Sequence, residues 1–192
     1  MNTPAHALIN LALLGRVTPP AAVAAVLAGG LLPDLPMFVF YAVQQMEGVP
    51  ESVIWSERYF APEWQAFFDA PNSLVLIGAA AAACAWRSWP IGWLLCASMA
   101  LHCVADFALH HDDGHRHFWP ISDFRFESPI SYWDPEHYGQ WVMPVELLAA
   151  LAALVWAWRR YTDRLNRVLL GALGAIHLAY LIFAAMVWGA MA

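Results

Sequence analysis

The apolar residues of this chain fall in blocks of membrane-spanning length, and those blocks contain ionisable side chains. That combination constrains the fold more than any other feature. A hydrocarbon environment admits only helices or closed barrels, because every backbone polar group must be satisfied internally. A charge placed there must face a partner or water, since exposure to lipid costs about 2.5–3.5 kcal/mol on insertion scales. The composition agrees: 61 % of the 192 residues are hydrophobic and 12 % charged, about half the charge of a soluble protein. The mean hydropathy is +0.51. We therefore expect an all-α polytopic membrane bundle of five to six segments, forming one integral membrane domain over residues 1–192.

Proline and arginine punctuate the segments. The first runs from about Pro4 to Leu14, and the second from Pro19–Pro20 to about Gln44, interrupted at Pro33 and Pro36 around Asp34. Four more are expected over Asn72–Trp86, Pro90–His111, Val142–Trp158 and Val168–Met191. The two longer connections, 45–71 and 112–141, mix Trp, Tyr and Phe with charges, as chain at a lipid–water interface does. Their length fits either a lid or binding loop or a plain interfacial cover. Basic residues are all arginines, and Arg16, Arg87, Arg159, Arg160, Arg164 and Arg167 lie in the short connections. The positive-inside rule then puts the short loops in the cytoplasm and both long loops outside. The first segment is too short to span and reads as re-entrant. The N-terminus lacks a basic region and cleavage site, so it is expected to be retained. A net charge of −6 argues against a nucleic-acid partner. Cys84, Cys96 and Cys103 have no CxxC spacing and read as small buried hydrophobes.

The ionisable groups share one depth. Counted at 1.5 Å per residue from the cytoplasmic ends, His6, Asp34, Asn72, His102, Asp106, Glu146 and His177 all lie roughly 15–24 Å in. His102, Asp106 and His110 are spaced i, i+4, i+8 along one helix face. Imidazole and carboxylate together are ligands for zinc, manganese or iron. His102 and Asp106 are near enough to share an ion, whereas His110 lies about 12 Å along the axis from His102. It therefore belongs to a second metal or stands behind the first. Cys103 points to another face. His177 reads as a hydrogen-bonded packing residue, and His115, His117 and His137 as solvated loop histidines. Asp112 and Asp113 read as capping or solvating the helix end.

The stretches PAHALINLAL, LAGGLLPDLP, NSL, LHCVADFALH and GHRHFWPISDFRF occur in the order seen in the LexA-regulated, membrane-bound metal-dependent hydrolases, which the chain resembles over roughly residues 4 to 125. The family pattern is Thr/Ala-His, Leu-Pro-Asp, His-Ser, His-x-x-x-Asp and Phe/Trp-Pro. It is distantly related to the zinc-dependent phospholipase C and single-strand nuclease superfamily. The resemblance implies His6, Asp34, His102 and Asp106 as ligands of a divalent metal, zinc first, with manganese or iron as alternatives. The family's His-Ser is Asn72–Ser73 here. Asparagine is a poor zinc ligand, so Asn72 is expected beside the metal, its amide donating to Asp34 or to a bound water. The run FRFESPISYWDPEHYG is similar to a subgroup of short proteobacterial membrane proteins, which implies a bacterial inner membrane.

The function expected is a membrane-embedded hydrolase whose site opens to the periplasmic side and acts on a phosphoester, such as a lipid headgroup, in the outer leaflet. Glu146, included on depth alone, or His110 would accept a proton. The alternative is a non-enzymatic protein that binds or conducts metal ions or protons through the same His/Asp/Glu cluster. A third is a structural protein in which the cluster ties helices together.

Overall fold

Proline opens most of the helices of this chain and sets where they begin. The structure, a computed structural model, describes residues 1–15 and 17–189, with side chains described to residue 182. Arg16 and Met191, used above in the charge count and the last segment boundary, lie outside the described residues. The helices are α1 (Thr3–Leu14), α2 (Pro20–Leu31), α3 (Leu35–Met46), α4 (Glu51–Val53), α5 (Pro62–Asp69), α6 (Leu74–Trp86), α7 (Pro90–Leu109), α8 (Gly139–Arg160) and α9 (Arg164–Gly189). Pro20, Pro62 and Pro90 each stand at a first helical position, where a missing N–H costs nothing. Pro33 and Pro36 interrupt the ladder after α2, and a short 3-10 turn, Leu32–Asp34, leads into α3.

Among the described residues five stretches are long and apolar enough to cross a membrane: Pro20–Met46, Pro62–Trp86, Pro90–Leu109, Gly139–Arg160 and Arg164–Ile182. The chain is an all-helical, multi-pass membrane protein. α1 has only 12 residues, about 18 Å, and lies packed inside the bundle. Its Leu8 and Leu11 share the main core with Val23 and Val26 of α2, Ala150 and Ala153 of α8, and Leu170 of α9.

Two departures from the expected boundaries bear on the site. The connection 45–71 is largely helical, since α4 runs into a π-helical turn, Ile54–Arg58, and α5 follows. Phe40, Ile54, Tyr59 and Phe68 close it into a small core of its own. α7 ends at Leu109, and His110 is extended (φ −116°, ψ 129°).

Small residues let α2 touch its neighbours backbone to backbone. A Cβ on Gly30 would lie 2.6 Å from Ala7 Cα, and one on Gly29 2.4 Å from the Leu95 carbonyl oxygen. Only glycine admits that approach, as in many membrane helix crossings. Polar side chains fasten the same crossing. Asn10 donates to the Ser98 carbonyl at 2.9 Å, and Ser98 Oγ donates to the Val26 carbonyl at 2.7 Å. α1, α2 and α7 are thus held in contact one turn from the ionisable residues.

Candidate metal centre

The crossing at Gly30 brings His6, next to Ala7 on α1, against His102 on α7. Their rings stack with centroids 3.6 Å apart and planes 19° apart. Both rings are completely buried. Asp106, one turn beyond His102, offers Oδ1 to His6 Nε2 at 2.9 Å and Oδ2 to His102 Nε2 at 2.9 Å. Asp34 enters from the 3-10 turn, with Oδ1 3.4 Å from His102 Nε2. Its other oxygen accepts from Thr3 Oγ1 at 2.6 Å. His6, Asp34, His102 and Asp106 therefore meet in one place.

The hydrogen bonding bears on whether a cation fits. His102 Nδ1 lies 2.9 Å from the Gly30 carbonyl oxygen, which can only accept, so Nδ1 carries a hydrogen. In a neutral ring that leaves Nε2 as a lone pair directed into the cluster. Neither Nε2 of His6 nor Nε2 of His102 meets a partner in hydrogen-bond geometry, although carboxylate oxygens stand 2.9 Å away. Buried polar atoms without partners call for an explanation such as an ion. Lone pairs facing carboxylates repel each other unless a cation lies between them. One nitrogen from each imidazole and one Asp106 oxygen lie within 4.8 Å of one another. That separation suits a divalent ion with bonds of about 2.0–2.2 Å, so the donor set and its spacing fit a metal.

His110 is placed differently from the expectation. A continuous helix would carry it a full two turns from His102. Because α7 ends one residue earlier, its side chain folds back, bringing Nε2 within 3.2 Å of Asp106 Oδ1 and Nδ1 within 2.9 Å of Asp113 Oδ1. It stands at the rim of the same cluster, beside the Met1 nitrogen, which lies 3.0 Å from Asp106 Oδ1. Glu146 of α8 accepts from the Asn2 backbone N–H at 3.0 Å and from the Asn2 side chain. Its second oxygen, Oε2, is buried without a partner.

Asn72 is a correction. Its amide donates to the carbonyls of Pro33 and Phe68, both at 3.0 Å, and not to the Asp34 carboxylate. It fixes the backbone of the turn that presents Asp34. Cys103 faces it, the thiol 3.3 Å from the Asn72 carbonyl oxygen, and so turns away from the cluster as expected.

His115 and His117 are not solvated; they are 5 % and 3 % exposed. His117 Nδ1 lies 3.0 Å from the Asn72 carbonyl oxygen, and His115 packs beside Asp69. His137 is partly buried, stacked on His111. None of the three reaches the cluster. Asp113 binds His110 and the Trp133 indole instead of solvating a helix end. Burial raises its carboxyl, but those two partners outweigh that and hold it below the ordinary 3.8. His177 is buried, as a packing residue would be, yet neither ring nitrogen has a hydrogen-bond partner.

Asp69, Ser98 and Asn10 were missed from sequence. Asp69 is completely buried and clamps the second long loop, accepting from the Arg116 backbone N–H at 2.9 Å and from Arg116 Nε at 2.5 Å. Ser98 and Asn10 extend the i, i+4 rows through His102 and His6, and that spacing is the signal that could have found them.

These features define a multi-pass helical membrane protein with a buried His/Asp group of metal-binding shape. No family model, curated protein or solved structure matches the chain.

Proposed function

We propose that the chain is a membrane-embedded, metal-dependent hydrolase of phosphoesters, related to the LexA-regulated membrane-bound hydrolases. It would lie in a bacterial inner membrane with its centre open to the periplasmic side, and its substrate class is a lipid headgroup in the outer leaflet. The observation that carries this reading is the pair of buried Nε2 atoms of His6 and His102, aimed at one carboxylate with no hydrogen-bond partner.

His6, His102 and Asp106 would hold the ion, zinc by preference, with Asp34 beside them. A divalent ion bound there supplies Lewis acidity toward a phosphoryl oxygen and acidifies water. Gly30 holds His102 in one tautomer, and Thr3 holds Asp34. Glu146 Oε2 has an acceptor site to spare and can hold a proton at that atom. His110 spans the space between Asp106 and Asp113 and can carry a proton outward at Nδ1. Against conduction stands the packing of Leu8, Leu11, Val23, Val26 and Leu170, nearly all at zero exposure, around a polar row whose next members, Asn10 and Ser98, are hydrogen-bonded to each other and to the Val26 carbonyl.

The test is elemental analysis of the detergent-purified protein, paired with hydrolysis of a chromogenic phosphodiester before and after chelation. About one metal per chain and chelator-sensitive turnover are expected. A protein that takes up no zinc, manganese or iron at micromolar supply would overturn the reading.

A further inference from the structure

The two long loops meet over the end of α7 and leave a cavity of about 410 Å³ between them. That volume suits a small ligand. Its walls are aromatic, with Trp55 and Tyr59 from the first loop and Tyr132 and Trp133 from the second. Asp112, Asp113, His110 and His115 also line it. Among the described residues no arginine lines it, and the chain has no lysine. The nearby guanidinium groups of Arg116 and Arg125 are turned onto Asp69, at 2.5 and 3.6 Å. Among the described residues Asp112 has no ion pair.

The lining also has unmet hydrogen-bonding capacity. His110 Nδ1 lies 2.9 Å from Asp113 Oδ1 and the Trp133 indole donates to Asp113 Oδ2, which leaves each oxygen a further acceptor site, and the exposed Asp112 carboxylate keeps all of its own. An ionised carboxylate only accepts, at two sites on each oxygen. Aromatic faces with carboxylates attract a cation and repel a phosphate. The spare carboxylate acceptor sites add a requirement that a quaternary ammonium cannot meet, namely N–H donors.

We propose that this cavity binds a primary ammonium group, that of an ethanolamine-type phospholipid headgroup. The amine would sit between Asp113 and the Trp55 and Trp133 rings. The ester phosphate would then lie toward His110, one imidazole away from Asp106. This last placement rests on the hydrolase reading above; the amine site itself does not.

Calorimetric titration of the full chain in detergent, stripped of metal with EDTA, tests the assignment. The probes are dihexanoyl phosphatidylethanolamine, its choline and glycerol counterparts, and free ethanolamine. The ethanolamine lipid should bind at least about tenfold more tightly than either counterpart. Asp113→Asn, and separately Asp112→Asn and Trp133→Leu at more exposed positions, should cut that preference severalfold in protein that melts as the wild type does. Equal affinity for the three lipids, or a choline lipid that matches the ethanolamine one, overturns the proposal. Free ethanolamine binding as tightly as the lipid overturns the lipid source and leaves a soluble amine. Metal content of the same batch before stripping separates the two readings. Metal without headgroup preference sinks this cavity assignment alone, and preference without metal sinks the hydrolase alone.

Discussion

His102 is held from behind and open in front. The Gly30 carbonyl occupies Nδ1, while Nε2 faces two carboxylates with nothing to donate to it. His102→Ala and His6→Ala should each lower metal content by an order of magnitude or more, read by elemental analysis of purified protein. His115→Ala and His117→Ala should leave the stoichiometry unchanged. His117→Ala should instead cost roughly 1–3 kcal/mol of stability, because it removes the buried partner of the Asn72 carbonyl. Emptying of the site by the loop substitutions, with His102→Ala still loaded, would refute the assignment. Asp113 makes a second residue-scale prediction. Its folded value lies below the ordinary 3.8, chiefly through His110 acting against burial. A depressed carboxylate contributes stability that is fully present above 3.8 and is lost as pH falls through the lowered value. The difference in melting temperature between wild type and Asp113→Asn should therefore be constant from neutral pH down to about 4 and shrink below it. A difference that vanishes already near pH 6 would contradict this sign.

At the scale of elements, the close crossing of α1, α2 and α7 decides whether the ligands meet at all. Gly30→Ala would place a Cβ 2.6 Å from Ala7 Cα, so α1 must move and carry His6 with it. Metal content should fall as it does in His6→Ala, although no ligand has been touched. Gly78→Ala in α6, where nothing lies within 4 Å, is the control and should be neutral to stabilising by up to about 1 kcal/mol. Ser98→Ala should cost about 0.6–1.7 kcal/mol, from the mean to the maximum found by double-mutant cycles for hydrogen bonds between membrane helices. The spans were legible in the sequence because their apolar runs have membrane length and prolines mark two of the starts, Pro20 and Pro90, whereas the start at Pro62 lay hidden in the polar first loop. His6, Asp34, His102 and Asp106 were legible because charge in hydrocarbon is costly and must be matched. Asn10 and Ser98 were not, since small polar residues in an apolar run look like ordinary packing. The burial of His115 and His117 was hidden for another reason. It depends on a loop folding back onto Asp69 and Asn72, and loop burial leaves no periodic trace. His110 was misplaced by two residues of helix end, where a side chain changes direction completely.

For the whole molecule, the arginine distribution predicts a side. Single cysteines at Glu136 and Thr162, both exposed, in a background without the native cysteines, can be probed with an impermeant thiol reagent on intact cells. Ser131, in the same loop, is 1 % exposed and would be masked. Residue 136 should label and residue 162 should not; the reverse pattern would invert the topology. The short first helix has a further consequence, for the order in which the protein is made. α1 spans about 18 Å against roughly 30 Å of hydrocarbon, so it cannot insert as a span by itself. Its binding surface consists of α2, α7, α8 and α9, and His102 leaves the ribosome about a hundred residues after His6. At 5–20 residues per second that is a delay of roughly 5–20 s. Throughout it, α1 must wait at the membrane surface, its histidine unmatched, until its partners have been threaded. The part of the centre that is synthesised first is among the last to be put in place.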